Sequence, residues 1–340
     1  MGVELGGLVS MNMGTWRGNR GQRLSKEEIT IKKAHNLSTV RAMCANPEAI
    51  DEWFVKYEAC LKEWGIMDET GQVDASRIWN CDEKGLFDIP KESYAIGIPG
   101  EKLQQTVGAD RGTLSTLLLY ICADGTYMEP MVIHKGARVG PTWRDHAWPG
   151  VKVRCSDTGY IKSHLFLESG EHFIAHLKQK GELSAERKHC LLLDGHSAHL
   201  FNLAFMLLMI KNFIEVFCFV PHTSQDSQPA DDIVFKEVNT GWNDDLRVEN
   251  RHGGRLVKSK FLLVLHSVLL RALKAKNIIA SFRATGVCPV DRSKITDEQL
   301  APSKIRRKFV LAVNVLFSHW ICLHLSYIAA VFQTGIKNRH

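Results

Sequence analysis

Three acidic positions in this 340-residue chain stand where side chains could converge. "RIWNCDEKG" (77–85) reads as a short strand ending in Asp82, and "KHCLLLD" (188–194) as a second strand ending in Asp194. A third acidic pair, Asp231 and Asp232, lies in "VPHTSQDSQPADDIVF" and leads into a helix. Singly, each has an ordinary explanation: Asp82 or Asp194 as a turn-former, Asp231 or Asp232 as a helix cap. Together they interact. Two carboxylates at roughly 4 Å repel by about 4 kcal/mol at an effective dielectric near 20, so a convergent trio needs a cation or bound protons. All-oxygen ligation suits Mg2+ or Mn2+. Two such ions about 3.5–4 Å apart can clamp the attacking and leaving oxygens of an in-line phosphoryl displacement.

The elements that must position these acids can be read along the chain. Residues 46–66 carry Ile50, Trp53, Phe54, Tyr57, Leu61 and Trp64 at helical spacing, with Asn46 as N-cap and Gly65 as the stop. Residues 113–136 read as a hairpin turning at Asp124-Gly125. Residues 156–180 read as a turn and a helix, 188–194 as a strand, 200–212 as an apolar helix, and 214–221 as a strand closed by Pro221. Helical patterns follow over 231–250 and, as one helix, over 259–286, which Gly286 ends. The order is strand, hairpin, helix, strand, helix, strand, helix, helix. That is mixed α/β, and adjacent strand ends in such a sheet form the ligand crevice.

Composition is ordinary for a globular chain: 45% hydrophobic, 24% charged, net charge +6. The mild basic balance suits a polyanionic partner without requiring one. Nine cysteines are scattered singly, with no CxxC pair, which favours a reducing, intracellular compartment and argues against zinc-finger ligation. A zinc site on His196 and His199 lacks further soft ligands nearby. The first residues form no signal peptide. Residues 309–332 carry no formal charge and follow the basic run Lys304, Arg306, Arg307, Lys308, which fits a membrane span in length and flank. Asn314, Ser318, His319, His324 and Ser326 favour instead an apolar tail packed on the body, and a non-native end is a third reading. A membrane partner is therefore not expected.

Several stretches together resemble the DDE superfamily endonuclease domain of pogo-type transposases, the group of Tigger, jerky-like and centromere protein B-related proteins. They are, in order, "NLSTVRAMCANPEAIDEWF", "IWNCDEKGLF", "GYIKSHLFLESGEHFI", "LLLDGHSAH", "VPHTSQDSQPADDIVF" and "SFRATGVCPVDRSKI", and they span roughly residues 26–296. The resemblance implies an α/β, RNase H-like mixed sheet flanked by helices. It also implies a catalytic triad of Asp82, Asp194 and Asp231, with Asp232 as an alternative third acid and metal ligand. Two Mg2+ or Mn2+ ions would be held there, DNA would be the partner, a homodimer a further association, and the nucleus the compartment. His196 and His199, beside Asp194, would contact phosphate or orient the site, or would serve as turn histidines bonded to the backbone. On this basis residues 1–25 are expected to be disordered, 26–76 to form a helical lead-in, 77–300 the endonuclease domain, and 301–340 a basic then apolar tail.

The sequence also departs from the family pattern. Only about 25 residues precede the resemblance, where helix-turn-helix DNA-binding modules are usual. The common Asp-Glu-Thr/Ser-Gly is Asp82-Glu83-Lys84-Gly85, and the usual "LQPLDxG" is "SQPADDI", with Ser227 and Ala230 at packing positions and Ile233 in place of glycine. These changes are expected to loosen Asp231. Lys135, Arg138, Arg144, Lys258, Lys260, Arg271, Lys274 and Lys276 are available for a phosphate path or as solvated faces. Two functions follow: a Mg2+-dependent DNA endonuclease or strand transferase without the usual targeting half, or a catalytically inactive domesticated DNA- or chromatin-binding protein.

Overall fold

A computed structural model describes residues 47–90, 112–194, 202–220, 223, 227–250, 254–296 and 299. The expectations for residues 1–25 and 301–340, including the apolar stretch 309–332, lie outside the described residues, as do Asn46, His196 and His199.

The centre is a six-stranded sheet of β1 (Ile78–Phe87), β2 (Leu114–Cys122), β3 (Tyr127–Lys135), β4 (Lys152–Ser156), β5 (His189–Leu193) and β6 (Ile214–Cys218), in spatial order β4-β3-β2-β1-β5-β6. β2 runs antiparallel to both β1 and β3, whereas β4 is parallel to β3, β5 to β1, and β6 to β5. Five strands therefore point one way and their carboxyl ends share one edge. An antiparallel β1–β2–β3 meander extended by parallel β5 and β6 is the RNase H-like arrangement.

Among the described residues six helices cover the two faces. α1 (Pro47–Glu63), α4 (Phe235–Glu249), α5 (Lys258–Ala272) and α6 (Ala275–Ala284) pack on one, and α2 (Ser163–Gln179) and α3 (Leu203–Lys211) on the other. β2 is buried at all nine positions because it lies inside the sheet and is covered on both sides. On the second face Phe173 of α2 meets Trp79 edge-on at 5.0 Å and stacks on Tyr120 at 4.9 Å. On the first face α1 brings Trp53 against Phe217 and Phe219, and the Trp53 indole N–H donates to Cys218 O at 2.7 Å. The helix thus braces β6 close to the carboxyl edge. Gly65, at φ +65°, lets the chain leave α1 in a conformation that side chains disfavour.

The hairpin turns where expected: the Asp124 carboxylate accepts from the Thr126 amide at 2.8 Å, and Gly125 has φ +94°. Three expectations are corrected. β1 does not stop at Asp82 but continues to Phe87, because β2 pairs with it throughout, from Trp79↔Cys122 to Phe87↔Leu114. The helix expected over 259–286 is two helices, α5 and α6, with Lys274 extended between them at φ −68°, ψ 138°. The Asn277 carboxamide donates to Ala272 O at 3.0 Å and satisfies a carbonyl at the end of α5. Finally, β4 was not expected at all; it extends the sheet beyond β3.

Candidate active site

Strand register decides where the first two acids fall. The parallel β1–β5 ladder pairs Ile78↔Cys190, Trp79↔Leu191 and Asn80↔Leu192. Asp82 and Asp194 each lie two residues beyond that last pair. Side chains alternate along a strand, so Asp82 shares a face with Ile78 and Asn80, and Asp194 shares one with Cys190 and Leu192. That is the first face, where Ile78, Cys190 and Leu192 are core. Asp82 therefore lies just beyond the parallel ladder while sitting in the middle of the antiparallel one, opposite Leu119.

The third segment follows β6. The Thr223 hydroxyl donates to Val220 O at 2.7 Å, and the buried Ser227 hydroxyl lies 2.9 Å from Thr223 Oγ1 and 3.0 Å from Thr223 O. The serine at this packing position is thus satisfied by the turn that it closes. The chain then forms a single wide turn, Ala230–Val234, that runs into α4. Ala230 is fully buried, and its amide donates to Asn80 Oδ1 at 3.0 Å. This bond fastens the turn directly to β1.

Electrostatics links the three acids. Burial, and then the charges of Asp231, Asp194 and Glu83, push the Asp82 carboxyl well above the usual carboxylate range, against the Glu83 amide that donates to its Oδ1 at 2.7 Å. Asp194 also contributes to raising two thiols whose main cause is burial: Cys81, beside Asp82, and Cys218 at the end of β6, which is pushed up to about 12. Asp82, Asp194 and Asp231 therefore act on one region. Asp232 is engaged elsewhere, with its carboxylate 2.5 Å from Lys236 Nζ one turn along. Lys84 Nζ stands 5.3 Å from the centroid of the Phe235 ring, so the lysine beside Asp82 covers the start of α4.

Among the described residues no group of three or more His, Cys, Asp or Glu side chains is drawn together as a metal site. The chemistry of the three acids nevertheless suits Mg2+ or Mn2+: carboxylates are hard oxygen donors, and Asp82, raised first by burial, is raised further by the charges of Asp231 and Asp194. Gln228, three residues before Asp231, adds a feature that the sequence did not reveal. Its carboxamide is fully buried, and among the described residues neither its nitrogen nor its oxygen has a hydrogen-bond partner. Such an orphaned group beside a candidate site calls for a functional explanation.

The basic candidates divide. Lys258 is turned inward and donates to the buried Ser115 hydroxyl at 2.9 Å, Lys260 pairs with Glu249 at 2.8 Å, and Arg271 with Asp245 at 2.7 Å. Lys135, Arg138, Arg144, Lys274 and Lys276 are exposed. Lys135 ends β3 at the carboxyl edge that the acids share. Among the described residues no helix is long and apolar enough to cross a membrane.

Residues 112–281, half of the chain, match the family of DDE superfamily endonucleases, and the chain belongs to that family. Asp194 and Asp231 fall inside the matched stretch, and Asp82 lies before it. The domain is thus of the transposase-like DDE type. Comparison with curated proteins finds no match. Among solved structures, the Mos1 mariner paired end complex with Mn is similar at 14% identity and a TM-score of 0.49, covering 84% of this chain and 69% of that one. The Mos1 strand transfer complex is similar at 15% identity and a TM-score of 0.42, covering 75% and 67%. A pre-cleavage Mos1 transpososome is similar at 14% identity and a TM-score of 0.43, covering 75% and 68%.

Proposed function

We propose that this chain is a divalent-metal-dependent DNA endonuclease in which Asp82, Asp194 and Asp231 hold the ions. The observation that carries the reading is the register that sets Asp82 and Asp194 side by side just beyond the parallel β1–β5 ladder, with the Asp82 carboxyl raised by burial and then by the charges of Asp231 and Asp194. A carboxylate cluster of this kind is destabilising unless a cation occupies it. Asp231 is favoured over Asp232 as the third acid because its charge acts directly on Asp82.

Two Mg2+ or Mn2+ ions, when bound, would supply the positive charge that stabilises the attacking and leaving oxygens of a phosphodiester. The chain's own part is to hold three carboxylates at fixed spacing, one within β1, one directly after β5 and one on a turn anchored to β1. Lys135 is level with Phe87 through their common partner Leu114 and its neighbour Ser115. Phe87 is five residues beyond Asp82, or about 17 Å along the strand. A phosphate contact from Lys135 would therefore fall several nucleotides from the cut. A homodimer and a nuclear location belong to the same proposal, as the assembly and compartment suited to cutting DNA.

The second reading, a DNA-binding protein without cleavage, is favoured by the absence of an assembled metal group among the described residues. Nicking of supercoiled plasmid in Mg2+ or Mn2+ separates the two. The endonuclease reading expects nicking that Asp194→Ala abolishes. If the wild type binds the plasmid yet nicks it no faster than Asp194→Ala, the second reading stands instead.

A further inference from the structure

Asn80 lies within an otherwise apolar run of β1 and is completely buried. Its carboxamide is divided among three segments. Nδ2 donates to Leu192 O of β5 at 3.1 Å and makes a longer contact of 3.4 Å with Cys81 O of its own strand. Oδ1 accepts from the Ala230 amide at 3.0 Å. The positions of these partners are not arbitrary. Asn80 is two residues before Asp82, Leu192 two residues before Asp194, and Ala230 one residue before Asp231. One side chain thus touches the backbone immediately upstream of every acid.

Satisfying buried polar groups would not by itself call for this residue. An aliphatic side chain would suit the register opposite Leu192, which is core. What an aliphatic residue cannot do is accept the Ala230 amide. That amide opens a turn and therefore has no preceding carbonyl within the turn to bond. Asp231 sits on a turn rather than on a strand, so among the three acids its placement relative to the sheet depends most on such a tie.

We infer that Asn80 is a positioning residue that sets the spacing of Asp82, Asp194 and Asp231 through one carboxamide, and thereby sets the affinity of the site for a divalent cation. The cation part rests on the metal-dependent reading above; the tie between β1 and the turn does not.

The test uses the full chain with Asn80→Leu, which removes both hydrogen-bonding functions, and Asn80→Asp, which keeps an oxygen for the Ala230 amide. Two quantities are measured: amide hydrogen exchange over residues 228–235, with β2 as the internal control, and Mn2+ affinity by calorimetry. Asn80→Leu is expected to speed exchange over 228–235 while β2 stays protected, and to weaken Mn2+ binding about 10- to 100-fold, the usual effect of losing a group that orients metal ligands. Asn80→Asp is expected to retain protection over 228–235, and it carries the exchange test if Asn80→Leu loosens β2 as well. Unchanged exchange over 228–235 in Asn80→Leu overturns the tie. Lost protection with Mn2+ affinity within twofold of wild type overturns the positioning role. A wild type that takes up no Mn2+ overturns the metal reading itself, a result distinct from a variant that binds as well as a binding wild type.

Discussion

Removing the charge of Asp82 should make the metal-free protein more stable. Asp82 is half-buried and faces the charges of Asp231 and Asp194. Two unit charges about 5 Å apart at an effective dielectric of 20 repel by roughly 3 kcal/mol, which sets an upper scale for each pair. Partial exposure and salt reduce that figure, and proton uptake by the raised carboxyl relieves more of it, leaving a gain of about 1–3 kcal/mol for Asp82→Asn near neutral pH. The asparagine oxygen can still accept the Glu83 amide that Asp82 now accepts. For a domain of this size each kcal/mol moves the unfolding midpoint by roughly 2–4 °C, so calorimetry in EDTA should show a rise of about 2–12 °C. The pH dependence has a definite sign. A carboxyl whose folded pKa lies above its unfolded value lowers stability above the unfolded pKa, and that penalty disappears as pH falls through the folded one. The advantage of Asp82→Asn should therefore shrink toward pH 4. Mn2+ at a hundred times its dissociation constant should stabilise the wild type by about 2.7 kcal/mol and the variant by no more than about 1.4 kcal/mol. A metal-free Asp82→Asn no more stable than wild type would show that the three acids do not repel one another, and the reasoning would fail.

Two further outcomes follow from buried polar groups. His134 is held near pKa 3 by burial and by Lys258, and His172 and His189 near 4, mainly by burial. Each binds fewer protons folded than unfolded, so stability is complete above about 6.5 and is lost on acidification, by up to about 1.4 kcal/mol per pH unit for each histidine. Urea unfolding at pH 7 and pH 4.5 should show the wild type losing more stability than His134→Gln by about 2 kcal/mol; equal losses would remove His134 from the explanation. Gln228→Leu replaces an orphaned buried carboxamide by a group that needs no partner and should raise metal-free stability by about 1–3 kcal/mol. A loss of stability by denaturant titration would mean that Gln228 is satisfied in solution.

The acid-bearing strands were legible because β5 is a short apolar run closed by an acid, and Asp124-Gly125 marked the hairpin as plainly. β4 was not legible. It is a five-residue edge strand in which Lys152 and Arg154 alternate with Val153 and Cys155, paired only with β3, so no apolar run announces it. The end of β1 was misplaced because "DEKG" reads as a turn, whereas β2 supplies pairing partners that hold those polar residues extended. No glycine or proline marks the break between α5 and α6. Asn80 was passed over for a different reason. Its partners are 112 and 150 residues away, and no local pattern shows that a polar residue in a core strand serves three segments at once. Within the site, sequence spacing proposed the acids; in the structure the charge of Asp231 acts on Asp82, while Asp232 pairs with Lys236.

The central claim is that Asp82, Asp194 and Asp231 form one site for divalent cations. Calorimetric titration of the full chain with Mn2+, alongside Asp82→Asn, Asp194→Asn, Asp231→Asn and Asp232→Asn, tests it most directly. Saturable binding by the wild type and by Asp232→Asn, with at least a tenfold loss in each of the other three, is the predicted result. Binding that survives in any of Asp82→Asn, Asp194→Asn or Asp231→Asn, or none in the wild type, would contradict it.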